Sequence, residues 1–319
     1  MRCFSRIGSV LFLVLMLLPL GAIAQVGPSG TVNAIIADGA KSTYGVVGIK
    51  LTPAATPTDL AVLYGATGST IRVKKVTVSG VVGAGTMDVS LVKRTDRDTA
   101  GTVLTTGSAM TPTPANVSYG TGTVSAPNVS SAVWGSGTQT LTYSLATLTI
   151  GKNYVLTFTP TVTGQVPTIT ATSGISKSLI PKVVTAVVNN VFFTASATTA
   201  VFTFTNTATS TWSTASTTCY ETLGGTVAKY DSRQAAEKAT LVAYTANPTV
   251  GTGAAVRNKM LNFGAAGAAG VVTFDFSTSN DKPMLLLNGN QGLAIYLNGQ
   301  ALPSSGVVSY DFEWEESTP

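Results

Sequence analysis

Histidine is absent from all 319 residues. Without an imidazole there is no Ser-His-Asp triad, no Cys-His pair and little scope for a zinc centre. Cysteine is nearly as scarce. Cys3 and Cys219 are the only two, and Cys3 falls in a segment that reads as a removable leader, so no disulfide is expected within the mature chain. Stability must then come from packing, and Cys219 reads as a buried, inert thiol. Charge is also sparse, at 10% of residues. Without the leader, 17 basic and 14 acidic residues remain. A net charge of +3, scattered along the chain, excludes the basic footprint of a nucleic-acid binder.

The leader is residues 1–24. Arg2 and Arg6 form a positive start, residues 10–20 an apolar core, and Ala22-Ile23-Ala24 a small-x-small cleavage site before Gln25. The alternative is an uncleaved anchor, since residues 7–24 are mostly apolar and about the minimum length for a bilayer span. A cleaved signal fits the flanks better. It predicts an extracellular protein with no membrane segment after processing.

What is present is Gly, Thr, Ser, Ala and Val, a composition that favours many short strands. The expected fold class is all-β. Residues 107–224 stand apart: they hold four charged residues (Lys152, Lys177, Lys182 and Glu221) against 43 Ser and Thr. We read this stretch as a second β-sandwich or jelly roll, inserted into a loop of an outer β-sandwich made from residues 25–106 and 225–319.

In the outer part, residues 31–37 and 44–51 are β-prone runs around a turn at Asp38-Gly39. In residues 70–79 the alternation of Ile71 and Val73 changes phase to Val76 and Val78 at Lys74-Lys75, which predicts a β-bulge or a change of facing sheet. Met87, Val89 and Leu91 mark a strand with one face buried. The loop Lys93-Arg94-Thr95-Asp96-Arg97-Asp98 is too basic for calcium and reads as salt-bridged with itself. Residues 232–239 have the pattern of a short helix. In the last strand Val308, Tyr310, Phe312 and Trp314 face one way, and Ser309, Asp311, Glu313 and Glu315 the other. Burying the first four contributes roughly 1.5–3 kcal/mol each, so the outer domain should not survive loss of its C-terminus.

In the insert, Leu141, Tyr143 and Leu145 alternate with Thr and Ser. Tyr154, Leu156 and Phe158 alternate with Val155, Thr157 and Thr159 after the turn at Gly151-Lys152-Asn153, and Phe202 and Phe204 then share one face. The runs "LTYSLATLTIGKNYVLTFTPTV" and "TTAVFTFTNTATSTW" resemble carbohydrate-binding-module-like jelly rolls. The resemblance covers roughly residues 116–223 and implies a possible glycan ligand stacked on an aromatic ring. Trp134, Trp212 and Tyr119 are the candidates for that contact. The alternative for each tryptophan is a place in the sandwich core. Glu221 is the only carboxylate in the insert, so the calcium site common in such modules is not expected.

A second resemblance spans both flanks. "IRVKKVTVSG" and "MDVSLVKRT" before the insert, and "QGLAIYLNGQ" and "YDFEWEE" after it, are similar to an uncharacterised family of phage and prophage proteins regarded as virion components. That likeness implies assembly into a homo-oligomer or larger particle. The leader and the extra domain are departures from it.

Enzymatic candidates are thin. Ser279-Asn280-Asp281-Lys282 matches Ser-x-x-Lys but reads as a turn, not a helix start. Glu313 and Glu315 have the spacing of a glycosidase pair on the solvent face of a terminal strand. No phosphate loop is present. The expectation is a non-enzymatic structural or display protein without cofactor or metal, on a virion surface or secreted. The runner-up is a secreted or cell-surface adhesin.

Overall fold

The computed structural model describes residues 25–26, 32–33, 42–51, 58–81, 85–118, 121–222, 227–230, 235, 237–263, 269–277 and 284–317. The leader, Tyr119, the Asp38-Gly39 turn and Ser279 to Lys282 lie outside them. Every described element is a strand, so no described helix is long and apolar enough to cross a membrane. The described residues fall into two units, one before Ser42 and one from Ser42 onward. In the first, β1 (Gln25–Val26) pairs antiparallel with β2 (Val32–Asn33).

The second unit opens with β3 (Ser42–Leu51), β4 (Asp59–Tyr64), β5 (Thr70–Val81), β6 (Gly85–Arg94) and β7 (Thr102–Val103). Then come β8 (Thr105–Met110), β9 (Thr113–Ser118), β10 (Thr121–Ser125), β11 (Asn128–Trp134), β12 (Gln139–Leu145) and β13 (Asn153–Gly164). They are followed by β14 (Thr168–Ser173), β15 (Ile175–Leu179), β16 (Asn189–Ala195), β17 (Ala200–Asn206) and β18 (Ser210–Thr222). The chain ends with β19 (Ala228–Lys229), β20 (Thr240–Ala246), β21 (Gly253–Phe263), β22 (Gly270–Asp275), β23 (Met284–Leu286), β24 (Gly292–Tyr296) and β25 (Val307–Ser317).

These strands make four antiparallel sheets. The first runs β19-β3-β25-β5-β22, with β23 also on β5, and the second β21-β6-β24-β4-β20-β7. The third runs β10-β11-β18-β13-β16-β15, with β8 on β18, and the fourth β14-β17-β12-β9. Among the described residues, strands between Thr105 and Thr222 pair only with one another, and the flanking strands likewise. The outward crossing is abrupt. Leu104 N–H still donates to Ala243 O of the second sheet, whereas Thr105 already pairs with Thr222 of the third.

Each sandwich encloses its own core. Between the first two sheets lie Val46, Ile71, Val76, Leu91, Ile295, Phe312 and Trp314; between the other two lie Trp134, Tyr143, Leu156, Phe158, Phe202, Phe204 and Trp212. Period-two alternation produces both, since every second side chain of a strand points to the same face. The phase change in β5 is a register shift opposite β25: Glu313 faces Lys75 and Trp314 faces Val73, leaving Lys74 as the extra residue. Tyr310 is accommodated by Gly48 across the strand pair, where any Cβ would come within 2.3 Å of the Tyr310 ring.

β25, the last strand in sequence, is central in its sheet, held between β3 and β5. Among the described residues β3 pairs with β19 and β25. One expectation changes. In the 232–239 stretch the described residues 235 and 237–239 are not helical.

Candidate functional site: the seam between the sandwiches

A third apolar cluster joins the two sandwiches. Val62 and Tyr64 of β4, Val92 of β6, Val103 of β7, Val242 and Tyr244 of β20 and Ala294 of β24 meet Val155 of β13 and Leu179 of β15. Phe192, Tyr220 and Tyr296 complete it. The second and third sheets therefore bury both faces along this layer, and β4 is buried at all six positions.

A polar group is enclosed beside this layer. Arg94 holds Asp59 through Nε to Oδ2 at 3.0 Å and Nη2 to Oδ1 at 2.6 Å, and Arg94 Nη1 donates to Gly251 O at 3.0 Å. The expected self-bridged loop is thus corrected: the partner of Arg94 is on β4, where a bidentate pair can be closed in the interior. Asp98 accepts from Gly251 N–H at 2.9 Å, and its backbone N–H donates to Tyr64 Oη at 3.0 Å. Burial and then the neighbouring Asp59 carboxylate push the Asp98 carboxyl up to about 7. Asp98 Oδ2 has no donor of its own. One arginine beside two buried acids favours the protonated form of Asp98. The Tyr64 and Tyr244 hydroxyls bond each other and are pushed up in pKa by burial.

Two cations tie the sandwiches across the seam. Arg97 donates from Nε to Gly289 O and from Nη1 to Ile180 O, each at 2.7 Å. Lys177 Nζ reaches Glu237 Oε1 at 3.2 Å and Ala239 O at 2.8 Å. Along this edge opens a cleft of about 480 Å³, bounded by Thr67, Arg97 and Gly289 on one side and Ser176, Lys177 and Thr194 on the other. Among the described residues no group of three or more Cys, Asp or Glu side chains is placed to hold a metal ion.

The residues proposed from sequence fall elsewhere. Trp134 and Trp212 are 0% and 1% exposed in the core of the second sandwich, where Trp212 contacts Phe158 and Phe204. This corrects their assignment as sugar platforms, because neither ring presents a face to solvent. Trp134 ends β11 and Trp212 lies in β18, each at a buried position of its strand. Tyr119 and the Ser-x-x-Lys match lie outside the described residues. Glu313 and Glu315 are ion-paired with Lys75 at 3.3 Å and Lys74 at 3.0 Å, and Glu315 is buried. Cys219 is buried, and desolvation pushes its thiol up to about 12.

The class these features define is a four-layered antiparallel β protein with a buried seam. Searches against protein-family models, curated proteins and solved structures each returned no match.

Proposed function

We propose that this is a non-enzymatic structural and display protein in which the outer sandwich, built from both ends of the chain, is the assembling base. The inserted sandwich of residues 107–224 is presented from it for surface or glycan attachment. The observation that carries this reading is the apolar seam. A module on a single flexible linker samples many orientations, whereas one fixed by a buried layer and two chain crossings presents the same surface in every copy. Weak sites repeated in a fixed orientation gain avidity from multiplicity. The absence of histidine and the pairing of Glu313 and Glu315 with lysines support a role without catalysis. The likeness of the flanks to phage proteins supports a virion-associated base.

A secreted or cell-surface adhesin is the second reading, favoured by the apolar leader ending at Ala24. Mass spectrometry of the N-terminus in sedimented particles, and separately in the envelope and medium of the producing culture, decides between them. Enrichment in particles is the expected result. Peptides beginning at Gln25 only in the envelope or medium would overturn the virion reading in favour of the adhesin.

A further inference from the structure

We propose that the cleft beside Arg97 binds an acidic sugar, a carboxylate-bearing saccharide whose oxyanion pairs with the Arg97 guanidinium. The inference rests on the display reading above and gives it a ligand site other than the buried tryptophans.

Among the described residues Arg97 is a cation without a counter-anion. Its Nε and Nη1 donate to backbone carbonyls, no carboxylate pairs with it among the described residues, and Nη2 donates to nothing there. Burial has already lowered its pKa to about 10, so an oxyanion would relieve a desolvated charge. The two carbonyl bonds fix the plane of the guanidinium, leaving it preorganised for an oxyanion. Gly289 keeps that end clear, since a Cβ there would lie 2.9 Å from Nη2.

The rest of the lining matches a sugar better than a bare ion. Lys238 adds positive charge, while Glu237, the one carboxylate among the described lining residues, is already engaged by Lys177. Hydroxyls of Thr67, Ser176, Ser178, Thr194 and Thr240 surround the cleft and can bond a polyol. Its volume of about 480 Å³ is within the range of small-molecule sites and well beyond a single oxyanion.

The test is calorimetric titration of the full chain with glucuronate, with glucose and with inorganic sulfate. Glucuronate is expected to bind in the millimolar range or tighter, at least about tenfold better than either comparator, because only it supplies both charge and hydroxyls. Arg97→Gln and Gly289→Ala should each weaken it about tenfold or more, and Lys238→Ala severalfold, with Lys93→Ala as the unaffected control. Gly289→Ala keeps the arginine and the backbone carbonyl that its Nε bonds, so it serves as the second variant if Arg97→Gln does not fold. No heat with glucuronate, sulfate binding as tightly, or unchanged affinity in Gly289→Ala would overturn the proposal. If glucuronate fails while the protein still attaches to cells, this cleft is excluded and the display reading stands. Glucuronate binding without attachment supports the cleft and removes that reading.

Discussion

Asp98 is the residue whose chemistry the fold alters most. Its carboxyl stays protonated up to about pH 7 in the folded chain, whereas an unfolded aspartate ionises near ~3.9. Between those values the native state holds the extra proton, so this group's contribution to stability falls as pH rises from about 4 to about 7 and is level above that. The steepest slope it can add is ~1.4 kcal/mol per pH unit. Asp98→Asn keeps the acceptor for Gly251 and supplies a donor toward Asp59, so it should match the parent near pH 4 and exceed it near pH 8. Urea midpoints across that range check this, and a parent slope that persists in the variant would refute the assignment. None of this was legible in the sequence. The loop's charges are visible there, but Asp59 is 35 positions from Arg94 and Gly251 is 153 from Asp98. Arg97 was hidden for the same reason, its partners being carbonyls at Ile180 and Gly289.

Strands reveal one buried face readily and a second face poorly. The alternation in β12, β13, β17 and β25 identified the core residues correctly, and the phase change at Lys74-Lys75 located the bulge. Glu315 departs from the expected solvent face: it is 6% exposed and ion-paired with Lys74, the extra residue of that bulge. Val155 was read as outward-facing, and outward it does face, but onto the other sandwich. The sequence carried one sign of this in Leu60 to Tyr64, an unbroken apolar run that fits a strand covered on both sides. At this scale β25 is the element to test. Because it is flanked by β3 and β5, Phe312→Ala should destabilise the chain by roughly 3–5 kcal/mol. Val47→Ala on the neighbouring β3, at a half-exposed position, should stay within about 0.5 kcal/mol. Chemical denaturation of the two variants measures the contrast, and equal effects would contradict the central placement of β25.

At the scale of the whole molecule, the account turns on the seam. Composition sets residues 107–224 apart; among the described residues the strands from Thr105 to Thr222 pair only with one another, while residues 42–319 hold together as one unit. The layer that locks the two sandwiches was not foreseen, because its residues come from nine strands on both sides of the boundary and follow no local period. Removing residues 107–224 would bare Val62, Val92 and Val242, so a shortened chain should need polar replacements there to remain soluble. The most direct measurement is a pulsed dipolar distance between spin labels at Val47→Cys on β3 and Thr170→Cys on β14, on the exposed faces of the two outermost sheets. The buried Cys219 thiol does not compete for label. A single narrow distance is predicted, broadening when Val155→Asp places a charge in the seam. A broad distribution in the chain without Val155→Asp would contradict a fixed presentation of the second sandwich.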